Sequence, residues 1–334
     1  MRQDSRGLLD MAAETARRRF EYEKYGPLIA LAVLFIISAI ASPYFLQTQN
    51  ILNILRQVSY TGIIALGMTF VIISGGIDLS VGSMVALIGG VVIFTLNWAL
   101  GFFGRGGEFW AIFLALIVGV LFGAGLGSLN GLMITAGKIA PFIATLGTMA
   151  IFRSMALYIG SAGVFRSQSS LYPELGMGKL LEIPNPVVVF IGLAIVFSVI
   201  LNMTRYGRYI CAVGSNPKVA KYSAIKVNLT RFISYAIVGG TAGLSAVFLS
   251  SRLNSISSTT GGLNYELDAI AAVIIGGTPM TGGSGSMFGT VIGAITLGII
   301  NNMLNMLGVS PYLQGTVKGL VIIGAVLIQR KRSQ

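Results

Sequence analysis

Long apolar runs dominate the chain, and short polar segments separate them. An uncharged run of about 20 residues can cross the ~30 Å hydrocarbon core of a bilayer as an α-helix. The pattern predicts about ten such transmembrane helices. They cover residues 27–46, 58–75, 79–99, 109–136, 139–160, 185–203, 231–250, 266–277, 286–307 and 312–329. The sequence therefore predicts an all-α, polytopic integral membrane protein.

Three of these runs differ from a simple span. The run 27–46 ends near small residues that could serve as a secretory cleavage site, but it is longer than the apolar region of a signal peptide, about 7–15 residues. We therefore interpret it as a span. The run 109–136 is long enough to be tilted or broken, and its small residues at helical spacing predict close helix packing. The run 266–277 is too short to cross the membrane alone.

Two glycine-rich breaks share a pattern. Residues 71–84 read VIISGGIDLSVGSM and residues 273–287 read VIIGGTPMTGGSGSM. Transporters are often built from two related halves, with broken helices near the substrate path. We therefore expect one transmembrane domain, 26–329, with broken helices at the glycine-rich motifs and two related halves, 50–203 and 231–329. Chance similarity of two glycine-rich segments stays open as the alternative, as does the choice between parallel and inverted halves.

The composition agrees with a membrane protein. The 334 residues are 54% hydrophobic and 10% charged, whereas soluble domains carry about 25% charged residues. The chain has no histidine and one cysteine, Cys211. An internal disulfide is therefore impossible, and zinc or iron–sulfur sites lack their usual ligands. We expect no metal site and no cofactor.

The net charge of +12 could suggest a nucleic-acid partner, but the basic residues cluster in short polar segments. They concentrate in the N-terminal arm 1–25, the segment 204–230 and the tail 330–334. An excess of Lys and Arg marks cytoplasmic segments of membrane proteins. We therefore expect all three segments, and hence both termini, to be cytoplasmic, and we expect no nucleic-acid partner.

The chain offers no nucleotide site. Residues 131–138 read GLMITAGK, which superficially resembles a phosphate-binding loop. The spacing between its glycines is one residue too long, and Ile139 stands where Ser or Thr would hold magnesium. We expect a protein that is not an enzyme and does not hydrolyse ATP itself.

Three acidic residues lie at predicted helix ends, although a charge inside a membrane helix costs about 2.5–3.5 kcal/mol on insertion scales. The carboxylate of Asp78 can cap the helix that follows it. Glu266 and Asp268 fall in a first helical turn, where acids complement the helix dipole. A direct role in the substrate path and a role in an ion or proton relay stay open for these acids. The candidates at the breaks are Gly75, Gly76, Asp78, Ser80, Glu266, Asp268, Gly276 and Gly277.

Uncharged polar residues also recur at helical spacing within the apolar runs. Asn301 and Asn305 share one helix face, and so do Thr145 and Thr148. Such stripes either join helices by hydrogen bonds or line a hydrophilic pore. Both interpretations stay open.

A polar segment, 214–227, interrupts the apolar pattern between the sixth and seventh predicted spans. Asn216 and Pro217 are typical of a helix cap and a first helical residue. A short helix in a cytoplasmic loop is often a docking element, and a plain surface helix is the alternative.

Three stretches carry a resemblance to a known family. They read LGMTFVIISGGIDLSVGSMVAL, RYGRYICAVGSNPKVAKYSAIKV and NYELDAIAAVIIGGTPMTGGSGSMFGTVIGAI. Together they resemble the permease subunit of ribose-type sugar importers of the ATP-binding cassette class, over about residues 26–329. Where other members often have GGN and SGI, this chain has GSN and SAI, which keeps small residues at both places.

The resemblance implies a homodimer in the cell inner membrane that imports ribose or a related simple sugar. It implies two further partners, a separate cytoplasmic ATPase and a periplasmic or lipid-anchored sugar-binding protein. It also implies that the polar segment is the coupling helix that fits a cleft in the ATPase. Its candidate contacts are Gly214, Ser215, Asn216, Pro217, Ala220 and Ser223.

Two other functions compete with this expectation. An ion-coupled secondary transporter would use Asp78 and Glu266 as ion sites, but few acids lie within the spans to form a relay. An intramembrane enzyme is disfavoured because the chain lacks histidine and shows no evident pair of a serine and a base.

Overall fold

The structure is a computed structural model that describes residues 26–310, 313–321 and 323–324. The arm 1–25 and the tail 330–334, both expected to be cytoplasmic, lie outside the described residues. The last part of the tenth predicted span also lies outside them.

Helices make up most of the described chain. They are α1 (Gly26–Ala41), α2 (Thr48–Ile73), α3 (Val81–Phe103), α4 (Glu108–Thr135), α5 (Pro141–Ile159), α6 (Tyr172–Met177), α7 (Asn185–Met203), α8 (Arg205–Ser215), α9 (Pro217–Tyr222), α10 (Val227–Arg252), α11 (Tyr265–Ile275), α12 (Met287–Met306) and α13 (313–321). A 3₁₀ turn, Arg105–Gly107, joins α3 to α4. The short strands β1 (Val164–Arg166) and β4 (Ser255–Ser257) pair antiparallel, as do β2 (Lys179–Leu180) and β3 (Ile183–Pro184).

The all-α, polytopic prediction is confirmed, but the count of ten spans is not. Within the described residues, seven helices are long and apolar enough to cross a membrane. They are α2, α3, α4, α5, α7, α10 and α12. The helices α1 and α11 fall short of that length, and α13 is described only in part.

Helix α2 forms the centre of the bundle. Helices α7, α10, α11 and α12 all pack against it, and 89% of its apolar window is buried inside the protein. Most other spanning helices expose a larger share of their apolar surface. Exposed apolar side chains suit contact with lipid, so α2 is shielded by its neighbours while they form the lipid boundary.

Glycines bring α4 and α10 into direct backbone contact. A Cβ placed on Gly127 would lie 2.9 Å from the Cα of Gly239, and one on Gly123 would lie 3.0 Å from the Cα of Gly243. Small residues permit such close approach between membrane helices. The close packing predicted for the fourth run is therefore confirmed, and α4 is one continuous helix.

The two ends of the bundle carry different elements. At one end, the Glu108 carboxylate at the start of α4 accepts hydrogen bonds from the Ser169 hydroxyl (2.6 Å) and the Ser170 amide (2.7 Å). This contact holds the loop before α6 against α4. Helix α7 then crosses the bundle, so α8 and α9 lie at the opposite end. We call this the α9 end.

The segment between α10 and α11 runs back along α3. A Cβ on Gly89 would lie 2.5 Å from Ile256 Cδ1, and one on Gly262 would lie 2.7 Å from Val85 Cβ. Helix α11 therefore begins beside the first turns of α3. This placement explains why 11 residues suffice for α11, because it does not have to cross the whole bundle.

Candidate translocation and coupling sites

The first glycine-rich break begins with a tight helix end. The amides of Gly75 and Gly76 donate to the carbonyls of Ile72 and Val71, both at 2.9 Å. Gly75 has a φ of +77°. This is the Schellman arrangement, in which a left-handed residue closes the helix. The Gly-Gly pair is therefore the end of α2, a full-length helix, rather than an interruption inside one.

The second break begins in the same way. The amides of Gly277 and Thr278 donate to the carbonyls of Ile274 (2.9 Å) and Val273 (3.2 Å), and Gly277 has a φ of +94°. Gly276 packs against the backbone of Gly289 in α12. Helix ends of this kind are common, so the prediction of two related halves stays a prediction.

Asp78 lies at the centre of a buried polar cluster. Its carboxylate accepts hydrogen bonds from the Ser80 amide (2.8 Å) and hydroxyl (2.7 Å) and from the Asn130 side-chain amide (3.2 Å). Asn130 also donates to the Ser80 hydroxyl at 2.8 Å. All three residues are completely buried. The cluster therefore fixes the segment before α3 against α4.

The capping role predicted for Asp78 takes a different form. Ser80 is the N-cap of α3, and the Asp78 carboxylate bonds to Ser80 rather than to an amide of the helix. This is an Asx turn, which orders the residues that lead into the helix. Helix α3 then begins at Val81.

The acids of α11 fall in its first turn, as the sequence indicated. Both carboxylate oxygens of Asp268 lie 3.0 Å from the Lys318 ammonium of α13. Glu266 packs close to Gly82 at the start of α3. Asn264 occupies the N-cap position, but its side chain makes no capping hydrogen bond and its φ is +63°. The Asp268–Lys318 pair explains how a carboxylate that is largely buried is stabilised.

A polar cavity of about 130 Å³ lies between α2, α11, α12 and α13. It is large enough to hold several water molecules, since each takes up about 30 Å³ in the liquid. Its polar lining comprises Gln57, Thr61, Tyr265, Asp268, Asn301, Asn305, Gln314 and Lys318. Polar surface at this density is unusual in a membrane bundle and marks a candidate path for a hydrophilic solute.

The two asparagines of α12 differ in their bonding. The Asn305 side-chain oxygen accepts a hydrogen bond from Gln314 at 2.8 Å. The Asn301 oxygen is buried and has no hydrogen-bond partner among the described residues. Unsatisfied buried polar atoms are costly, so the Asn301 side chain is less well satisfied by this packing than the Asn305 side chain.

The other candidate pore residues, Thr145 and Thr148, lie elsewhere. Both are buried in α5, and their hydroxyls donate to carbonyls of the same helix, Thr145 to Pro141 (2.8 Å) and Thr148 to Ala144 (3.1 Å). Neither residue lines the polar cavity. Their proposed pore role stays a prediction without further support from this geometry.

The polar segment 214–227 contains the last two residues of α8, the whole of α9 and the first residue of α10. The Asn216 side chain caps α9 by accepting hydrogen bonds from the amides of Lys218 (3.0 Å) and Val219 (3.2 Å), and Pro217 is the first helical residue. The predicted start of the helix is therefore confirmed. The α9 surface is apolar as well as basic, since Tyr222 is 90% exposed and Val219 57% exposed.

The predicted coupling contacts are not all accessible. Gly214 is partly buried, and Ala220 is only 2% exposed, whereas Ser215, Asn216, Pro217 and Ser223 are exposed. On α8, Cys211 is partly buried, and burial raises the pKa of its thiol. A partner at the α9 end would therefore meet Val219 and Tyr222 rather than Ala220.

Sequence reasoning missed several residues of these sites. Asn130 and Lys318 were visible as polar residues inside predicted spans, and that signal could have identified them. Gln57 lay one residue outside the span predicted at 58–75. Gln314 gave no local signal because it lies in the first residues of the span predicted at 312–329, where a polar residue is not unusual.

Comparison with known proteins gives one family. Residues 50–326 match the family described as "Branched-chain amino acid transport system / permease component". No solved structure matches.

Curated relatives match over almost the whole chain. The "Ribose import permease protein RbsC" of Bacillus subtilis is 43% identical over 330 residues, which is 96% of this chain and 98% of the relative. In Escherichia coli, the "D-allose transport system permease protein AlsC" is 38% identical, covering 92% of each chain. The "L-arabinose transport system permease protein AraH" of the same organism is 31% identical, covering 94% of this chain and 92% of the relative.

Proposed function

This chain belongs to the family of transport-system permease components, and from that membership we propose that it is the membrane-spanning subunit of an ATP-binding cassette importer for a monosaccharide. The family description names branched-chain amino acids, but the three relatives carry the names of ribose, allose and arabinose. A simple sugar is therefore the cargo, with ribose first because the ribose relative is 43% identical.

The polar cavity carries this proposal. Its amides, from Gln57, Asn301, Asn305 and Gln314, each offer both a donor and an acceptor. Such groups suit the hydroxyls of a sugar without holding them tightly. Weak binding also favours release, which a translocation path requires.

A separate ATPase drives the transport and docks on α9. The helix is short, basic and capped, and it exposes Val219 and Tyr222 to a partner. Its position in the basic segment between α7 and α10 supports a cytoplasmic location. By the same rule both chain termini lie on the cytoplasmic side. The membrane that holds the protein is the inner membrane of the cell.

The complete importer contains two copies of this chain and a sugar-binding protein on the opposite face. The binding protein sets most of the specificity and delivers the sugar. ATP binding moves the docked α9 helices, and the two permease chains rock between outward-open and inward-open arrangements. Lipid surrounds the exposed apolar helix faces.

The rival, an ion-coupled secondary transporter, is not favoured by the comparisons. Asp78 is bonded to Ser80 and Asn130, and Asp268 is paired with Lys318. Of the two acids that such a carrier would use as ion sites, Asp78 is therefore already engaged in structural contacts, and so is the neighbouring acid of α11, Asp268.

The cargo is tested by reconstituting the permease with its ATPase and binding protein in liposomes. We expect ATP-dependent uptake of radiolabelled ribose or a related monosaccharide from a panel that also contains leucine, isoleucine and valine. Uptake of the amino acids without any of the sugars would refute the sugar assignment.

A further inference from the structure

Three chain segments meet at the end of α2. The amide of Gly283, in the second break, donates to the carbonyl oxygen of Ile73, the last residue of α2, at 2.9 Å. Gly214, near the end of α8, faces the same pair. A Cβ placed on Gly214 would meet the Ile73 oxygen and would lie 2.5 Å from the Gly283 nitrogen. No side chain fits here, so α8 touches α2 and the second break through backbone atoms.

Two further glycines complete the contact. A Cβ on Gly282 would lie 3.0 Å from the Gly75 nitrogen, and one on Gly283 would lie 2.5 Å from the Ser215 hydroxyl oxygen. Both glycines have positive φ, +83° and +85°, which glycine adopts without strain. We call this contact the glycine junction. It comprises Ile73, Gly75, Gly214, Ser215, Gly282 and Gly283.

Each segment of the glycine junction continues into a part of the transport apparatus. Ser215 is followed by Asn216, which caps α9. The first break continues into Asp78, whose cluster holds α3 and α4. The second break ends at Ser286, whose hydroxyl caps α12, the helix that carries Asn301 into the cavity.

The glycine junction is therefore a direct backbone connection between the α8–α9 segment and helices that line the cavity. Side chains can absorb a displacement by changing rotamer, whereas backbone in van der Waals contact transmits it. We propose that Gly214 and Gly283 are positioning residues that transmit movement of α9 to α2 and α12. The inference rests on the proposed function, because it requires a partner that moves α9.

The test variant is Gly214→Ala. Alanine is a better helix former than glycine, so the substitution does not weaken α8 itself, but its methyl group separates α8 from Ile73 and Gly283. The matched control is Gly192→Ala in α7, where an added Cβ would meet no atom within 4 Å.

The variants are compared as complete importers with ATPase and binding protein. We expect the Gly214→Ala importer to retain its bound ATPase. Its sugar uptake should fall about tenfold, and so should the stimulation of ATP hydrolysis by the sugar-loaded binding protein. The control should match the unmodified importer. Normal uptake in Gly214→Ala would overturn the inference, and so would loss of the ATPase from the complex, which would indicate a docking role instead.

A milder variant covers the case in which Gly214→Ala does not fold. Gly285 lies beside Ile73 of the glycine junction, and the nearest atoms to a Cβ placed on it belong to side chains, Ile73 Cδ1 at 2.6 Å and Thr278 Oγ1 at 2.9 Å. We expect Gly285→Ala to fold and to show a smaller loss of uptake for each ATP hydrolysed. An unchanged ratio of uptake to hydrolysis would overturn the inference.

A readout without cargo separates this inference from the proposed function. A maleimide reports the accessibility of Asn305→Cys in the cavity with and without ATP bound to the ATPase. We expect the ATP-dependent change in labelling rate to disappear in the Gly214→Ala background. If the ATP-dependent change in labelling rate persists, the inference about the glycine junction is overturned, whatever solute the protein carries.

Discussion

Substitution of Asp78 tests whether this buried carboxylate is structural. In Asp78→Leu, the Ser80 amide and hydroxyl lose their common acceptor inside the protein. A buried donor left without a partner costs about 1–3 kcal/mol, so the two donors cost about 2–6 kcal/mol together. That is a large part of a folding free energy of about 5–15 kcal/mol.

Asp78→Asn should lower the folding free energy less than Asp78→Leu, because the buried polar cluster can adapt to an amide. The new amide keeps one oxygen for the Ser80 donors, and its NH₂ group replaces the second carboxylate oxygen. The Asn130 oxygen has no partner among the described residues, so rotation of the Asn130 amide gives the new NH₂ group an acceptor. The rotation takes the Asn130 NH₂ group away from the Ser80 hydroxyl, so the net loss is one buried donor without a partner, or about 1–3 kcal/mol, about half the loss expected for Asp78→Leu.

The assay compares the amount of monodisperse permease after heating in detergent with uptake by the reconstituted importer. We expect Asp78→Asn to retain uptake and to lose less folded protein than Asp78→Leu, which should lose most of it. An Asn variant that folds normally yet transports nothing would refute the structural role and would favour the ion-coupled rival.

Three further predictions concern the cavity, α9 and the orientation. Replacing Asn301 and Asn305 together by Leu should slow uptake while the yield of folded permease in detergent stays normal; normal uptake in this double variant would exclude the cavity as the path. Tyr222→Glu should release the ATPase from the purified complex without loss of folded permease, since Tyr222 is 90% exposed; retained ATPase would exclude α9 as the docking helix. For the orientation, both variants are made in a cysteine-free background and treated with a membrane-impermeant maleimide. Tyr222→Cys should be labelled only from the cytoplasmic side, and Leu181→Cys, whose position is 88% exposed, only from outside. The reverse result would show that the orientation is inverted.

Local hydropathy predicted the bounds of helices that face lipid better than the bounds of helices covered by other helices. The run 185–203 coincides with α7, Asn185–Met203, because that helix is apolar to both ends. The start of α2 was placed at residue 58, whereas the helix begins at Thr48. Its first turns carry several polar residues, and one of them, Asn50, bonds to Asn302 of α12. Hydropathy falls there although the segment is helical.

The sites depend on contacts between distant parts of the chain. The sequence singled out Asp78, Asn301 and Asn305 because polar residues stand out in apolar runs. It could not pair Asp268 with Lys318 or bring Gly214 against Gly283, because no local periodicity encodes which helix ends meet. The glycines of the second break were predicted as a helix interruption, and only the fold gives them their contact with α8.

The energy source of transport tests the central claim most directly. The permease, its ATPase and its binding protein are reconstituted in liposomes, and sugar uptake is measured with ATP inside and with proton and sodium gradients collapsed by ionophores. We predict uptake that requires ATP, the ATPase and the binding protein and is insensitive to the ionophores. Uptake by the permease alone, driven by an ion gradient without ATP, would contradict the account.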